Sequence, residues 1–137
     1  MKSLETLIKL HDKELNDLRI ELKRCEDNKN ELTNYSQKMK EELEAELELV
    51  SKDPSLGQTF SSYRKVIDER QNNIEEALID LDRKISSLNE DIGLLYIEIK
   101  KYDLLLQRKK LQEKKKLEKE EEKFIDEMVS MRHNLED

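Results

Sequence analysis

Two histidines, one cysteine and 33 aspartates and glutamates are the side chains of this sequence that could ligate a metal or move a proton. A zinc site needs several such ligands at helical or turn spacing, and neither His11 nor His133 has a second histidine three or four residues away. Cys25 is equally alone. Acid-base catalysis by carboxylates requires environments that drive two pKa values apart, and that takes burial. Gly57 and Gly93 are the only glycines, so no glycine-rich phosphate loop can form. No catalytic, cofactor-binding or metal-binding residue is expected. If this protein acts in catalysis, it acts on another protein.

The elements that would position any such groups are narrow. Of 137 residues, 43% are charged and 4% aromatic, with one proline and no tryptophan, the profile of long helices rather than of a globule. A net charge of -7 disfavours a general nucleic-acid binder, which presents a basic face to phosphate. A lone cysteine cannot build a disulfide framework, which suits a reducing compartment. The N-terminus carries too short an apolar run for a secretory signal, and no stretch could span a bilayer. The expectation is a cytoplasmic protein without direct membrane insertion.

Counting alternately by four and three from Ile74 reaches Leu78, Leu81, Ile85, Leu88, Ile92, Leu95, Ile99, Tyr102 and Leu106, a heptad stripe without a polar step. From Leu4 to Val50 the same count finds ten apolar residues in fourteen, broken by His11, Lys29, Ser36 and Glu46. Folded back antiparallel, Leu4 faces Leu106, Leu22 faces Leu88 and Val50 faces Phe60. Glu46 then lands opposite Arg64 and predicts an ion-paired layer. The other polar breaks read as layers that set register. The predicted fold is all-α: a long two-helix antiparallel coiled-coil hairpin with an overhanging C-terminal helix, one domain over residues 1–137. Helix 1 covers about 4–51, the hinge 52–58 and helix 2 about 59–106, with an extension over 107–137.

Ser3 is the expected N-cap of the first helix, and Ser55 with Gln58, or Thr59 alone, that of the second. The hinge, SKDPSLGQT, holds the one proline, which removes a donor and pushes Asp53 out of helical geometry. Gly93 within the best of the stripe would allow slight bending or close approach. Near the hinge, Tyr35, Met39, Phe60 and Tyr63 gather scarce aromatic and flexible apolar surface, either to finish the seam or to meet a partner. Past Leu106 the phase is lost: residues 107–123 hold eight Lys or Arg and five Glu. An apolar stripe then returns through Leu117, Phe124, Met128, Met131 and Leu135. With no intramolecular helix left to cover it, that stripe calls for an intermolecular one, the alternative being a disordered charged tail.

The run FSSYRKVIDERQNNIEEALIDLDRKI, a few residues after a polar turn, resembles the start of the second helix in the flagellar export protein family FliJ, whose type III secretion relative is YscO. The shared pattern is Phe60, Tyr63, Val66 with Ile67, and Ile74; upstream, Tyr35 is similar to a family aromatic, and Met39 stands where a second one is usual. The resemblance implies a non-catalytic stalk of the bacterial protein export apparatus, peripheral to the inner membrane. It implies that the terminal end, here Leu7, Leu10, Leu117, Phe124, Met128, Met131 and Leu135, meets a hexameric export ATPase ring. It implies that the hinge end, here Tyr35, Met39, Phe60 and Tyr63, meets an inner-membrane export gate protein, and that export chaperones are also handled.

Two other readings compete. A generic structural coiled coil would self-associate through its C-terminal helix. A prefoldin-like holdase would need β-hairpins between the helices, where only about seven residues are available. A parallel homodimer would stack Lys29 on Lys29 and Glu46 on Glu46, which is unfavourable, so the hairpin is expected to be a monomer by itself.

Overall fold

The computed structural model describes residues 2–136. They form an all-α helical hairpin of the coiled-coil type: α1 over Lys2–Lys52, a short 3-10 turn over Pro54–Leu56, and α2 over Gly57–Glu136, with no strand among the described residues. The stripe read from the sequence is the buried stripe of the fold. Every seam position of α2 from Ile74 to Leu106 is buried or half-buried, and so is every seam position of α1 from Leu4 to Val50 except Glu46. The helices form because charged helix-favouring residues fill the outer faces, while burial of the leucine and isoleucine seam supplies the stabilisation that propensity alone cannot.

The chain packs as two compact units, one from Asn16 to Gly93, the other from the segments up to Leu15 and from Leu94 onward. In the first, Met39, Ile67 and Ile74 form the core, with Leu32, Leu43, Tyr63 and Leu78 packed against it. The polar seam residues find partners on the facing helix, as register-setting layers should. Ser36 Oγ donates to Gln71 Oε1 at 2.6 Å, and Gln71 Nε2 donates back to the Ser36 carbonyl at 3.0 Å. Lys29 Nζ reaches Asp82 at 2.7 Å and Lys84 Nζ reaches Glu21 at 2.9 Å. In the second unit, His11 stacks flat on Tyr102 with ring centroids 5.5 Å apart, while its Nδ1 lies 3.4 Å from Glu14. Nothing in this unit buries the side chains from Gln107 to Leu135.

Four local expectations are corrected. The Glu46–Arg64 layer does not form: Arg64 lies 4.0 Å from Asp68 on its own helix, Tyr63 enters the seam instead, and Glu46 is exposed. The seam admits the neighbour that gains most from leaving water, and a tyrosine ring outranks a guanidinium there. Ser3 lies inside α1, not at its cap. The turn is capped by Asp53, whose extended backbone (φ -136, ψ 93) lets its carboxylate accept from Ser55 N at 3.2 Å and from Ser55 Oγ at 2.6 Å. Proline at the first position of the turn lacks an N–H, so the first backbone donor available to that carboxylate is Ser55. Finally, Gly93 provides no close approach: nothing lies within 4 Å of where its Cβ would stand, and its φ is not positive. Gly93→Ala is therefore expected to stabilise the chain by about 1 kcal/mol, read as a higher melting temperature. An unchanged or lower value would show that the glycine serves another purpose.

The Glu21–Lys84 contact makes a prediction about pH. The lysine's hydrogen bond and charge hold the Glu21 carboxyl below its ordinary range, and the same contact raises Lys84 above its own. A depressed carboxylate contributes stability above its unfolded value, near 4.5, and loses it as pH falls through the folded value. The raised lysine contributes below 10.5 and loses that as pH climbs past it. Glu21→Gln should flatten both limbs of the melting temperature against pH, modestly, because both side chains are solvated.

Candidate partner-binding surfaces

Two sets of exposed apolar side chains are left once the seam is closed. In the turn-containing unit, the residues marked by the sequence part company. Met39 is 3% exposed and belongs to the core, while Tyr63 is half-buried against it. Tyr35 stands out at 49% exposure, bordering an open hollow with Asn28, Glu31, Leu32 and Leu81. Phe60 is half-buried and lines a second hollow with Tyr63, Val50, Leu56, Thr59 and Glu46. The four residues thus supply two small aromatic-edged recesses rather than one continuous patch, with Met39 supporting them from inside.

In the unit that holds both terminal segments, Leu7 and Leu10 are exposed on α1. On α2 the stripe Leu117, Phe124, Met128, Met131 and Leu135 is exposed throughout, from 54% at Met128 to 85% at Leu135. The heptad count missed part of this face. Ile125 and Val129 are as exposed as their neighbours, so two adjacent pairs, Phe124 with Ile125 and Met128 with Val129, widen the stripe. Leu104 and Leu111 are exposed as well, on another face of α2. The available signal was the run FIDEMV itself, in which apolar residues fall on both sides of one heptad position. Before and within this stripe the charges are interleaved: a mainly basic run from Arg108 to Lys116 is broken by Glu113, and the mainly acidic run from Glu118 to Glu122 is broken by Lys119.

Among the described residues no group of three His, Cys, Asp or Glu side chains is placed to hold a metal ion. Cys25 is buried in the seam, with its Sγ 3.9 Å from Glu21 Oε1. The phenol of Tyr102, whose ring stacks on His11, is raised above its ordinary pKa by its hydrogen bond to Glu98. No helix among the described residues is long and apolar enough to cross a membrane. Contiguous exposed apolar side chains of this kind are, in general, a mark of interaction surfaces. Compared with known protein families, residues 1–136 match the one described as flagellar FliJ protein. No curated protein and no solved structure matches the chain.

Proposed function

Because the chain belongs to the flagellar FliJ protein family, non-catalytic components of the flagellar export apparatus, we propose that it is the export stalk that binds the hexameric export ATPase ring. The observation that carries this reading is the apolar stripe of α2 from Leu117 to Leu135, more than half exposed at every step. An apolar helix face of this length is costly in water, and a ring of subunits around it would remove the cost. Leu7 and Leu10 belong to the same unit and add to the surface the ring would cover.

The recesses edged by Tyr35, Phe60 and Tyr63 serve in this reading as the contact for the inner-membrane export gate protein. Rigid aromatic side chains beside hollows supply large contact area at small entropic cost. Export chaperones would be handled by the same protein, at the cytoplasmic side of the inner membrane. The experiment is ATP hydrolysis by the purified cognate export ATPase, alone, with the full chain, and with a chain ending at Leu106. Stimulation by the full chain and its loss on truncation are expected. A full chain that neither binds nor stimulates an assembling ring would overturn the proposal.

A further inference from the structure

The side of α2 turned away from the seam carries a pattern that the ring reading leaves unused. Leu104 lies two residues from both Tyr102 and Leu106 and so, at about 100° per residue, on the far side of the helix. Steps of three and four through it visit Leu94, Ile97, Lys101, Leu104, Arg108, Leu111 and Lys115. The apolar members are each more than half exposed, and the cations between them are exposed too. Lys100 flanks the line, with its Nζ 5.6 Å from the centre of the Tyr96 ring. Along this stretch the carboxylates are Glu98, Asp103 and Glu113, and each lies about 90° or more from the middle of the line. Glu98, the nearest, is turned to the phenol of Tyr102. The face extends over roughly 30 Å of helix and lies wholly within the unit that begins at Leu94 on α2.

We propose that this face lies flat on an anionic lipid bilayer, its apolar residues sunk below the headgroups and its cations reaching the lipid phosphates. Charge complementarity selects the partner. In a chain of net charge -7, a face that gathers Lys100, Lys101, Arg108 and Lys115 with no carboxylate among them fits an anionic surface. The interleaved leucines select lipid over a bare polyanion such as nucleic acid, whose phosphates offer nothing to an apolar side chain. Long aliphatic stems let lysine and arginine rise to the headgroups while the leucines beside them go deeper. Tyr96, at the margin, has the apolar body and polar tip that suit the boundary. The net negative charge is no obstacle at physiological salt. Screening acts over about 8 Å, less than the 10 Å or so of the helix's width, so a bilayer responds chiefly to the face nearest it. The contact is in the plane of the surface, since no helix among the described residues can cross a membrane. Leu117, where the exposed C-terminal stripe begins, follows Leu106 by about three turns and so lies on the seam side. The lipid face therefore leaves that stripe free and does not rest on the ATPase reading.

The test is flotation of the full chain, without any ATPase, on vesicles of phosphatidylethanolamine with phosphatidylglycerol and on vesicles of phosphatidylcholine alone. Binding to the anionic vesicles only, weakening as salt is added, is the expected result. Arg108→Glu with Lys115→Glu should weaken it at least about tenfold, because two attractions become repulsions. Lys109→Glu with Lys116→Glu makes the same change of charge about 100° round the helix and should stay within about threefold of the original chain. Leu104→Ser with Leu111→Ser, which leaves every charge in place, should also lose at least about tenfold. All six positions are exposed, and circular dichroism of each variant reports whether the helices persist. Absence of binding to the anionic vesicles overturns the proposal and passes the face to an acidic protein segment. Equal losses in the two charge variants overturn the assignment of this face. Undiminished binding by the serine variant reduces the contact to attraction between bare charges and overturns the lipid docking. None of these outcomes bears on ATPase stimulation, which is judged in its own assay.

Discussion

Ile67→Ala is expected to destabilise the turn-containing unit by about 2–4 kcal/mol, the range for emptying a well-packed isoleucine site. Ile67 is 3% exposed and packs with Met39 and Ile74, while Leu32, Leu43, Tyr63 and Leu78 close around them. A two-helix seam has no third layer to refill the space, so the cavity persists or the helices draw together at the expense of neighbouring layers. Val66, the adjacent residue, is 46% exposed and offers the control. Val66→Ala should cost no more than about 0.5 kcal/mol, as surface changes do. Urea titrations of the two variants read the difference directly. Equal losses would mean that this layer is not where the unit draws its cohesion.

The second large effect is expected on function with stability untouched. Changing Phe124 and Met128 together to serine removes two side chains that are 63% and 54% exposed, so the melting temperature should move little. If the stripe is the surface that the export ATPase covers, these residues sit where interface energy concentrates. Loss of two anchors of about 2 kcal/mol each would weaken binding on the order of a thousandfold and return hydrolysis to its unstimulated rate. Tyr35→Ala serves as the counterpart in the other unit: it should leave hydrolysis stimulated and reduce capture of the export gate protein. Stimulation retained by the Phe124, Met128 variant would remove the stripe from the ATPase contact.

Much of the fold was legible because helix periodicity and chain reversal are local matters. The four-three spacing from Ile74 to Leu106, the proline at position 54 and the opposite stripe from Leu4 to Val50 determined two antiparallel helices and their turn. Their boundaries moved only by residues at the ends, to Lys52 and Gly57. The family was legible as well, through the spacing of Phe60, Tyr63, Ile67 and Ile74, and residues 1–136 match it.

What only the tertiary structure decided were competitions between neighbours. Tyr63 rather than Arg64 fills the seam, and Met39 supports the aromatic recesses from within rather than standing among them. Asp53, not Ser55 or Thr59, caps the turn, since its backbone is extended there and Ser55 supplies both donors. Lys29, Ser36 and His11 read alike as polar interruptions, yet one takes an ion pair, one a two-way hydrogen bond and one a stacked ring. Periodicity states which face of a helix is buried. Which of two adjacent side chains enters that face, and what it meets there, depends on the register and spacing of the facing helix, and those exist only once the two are packed.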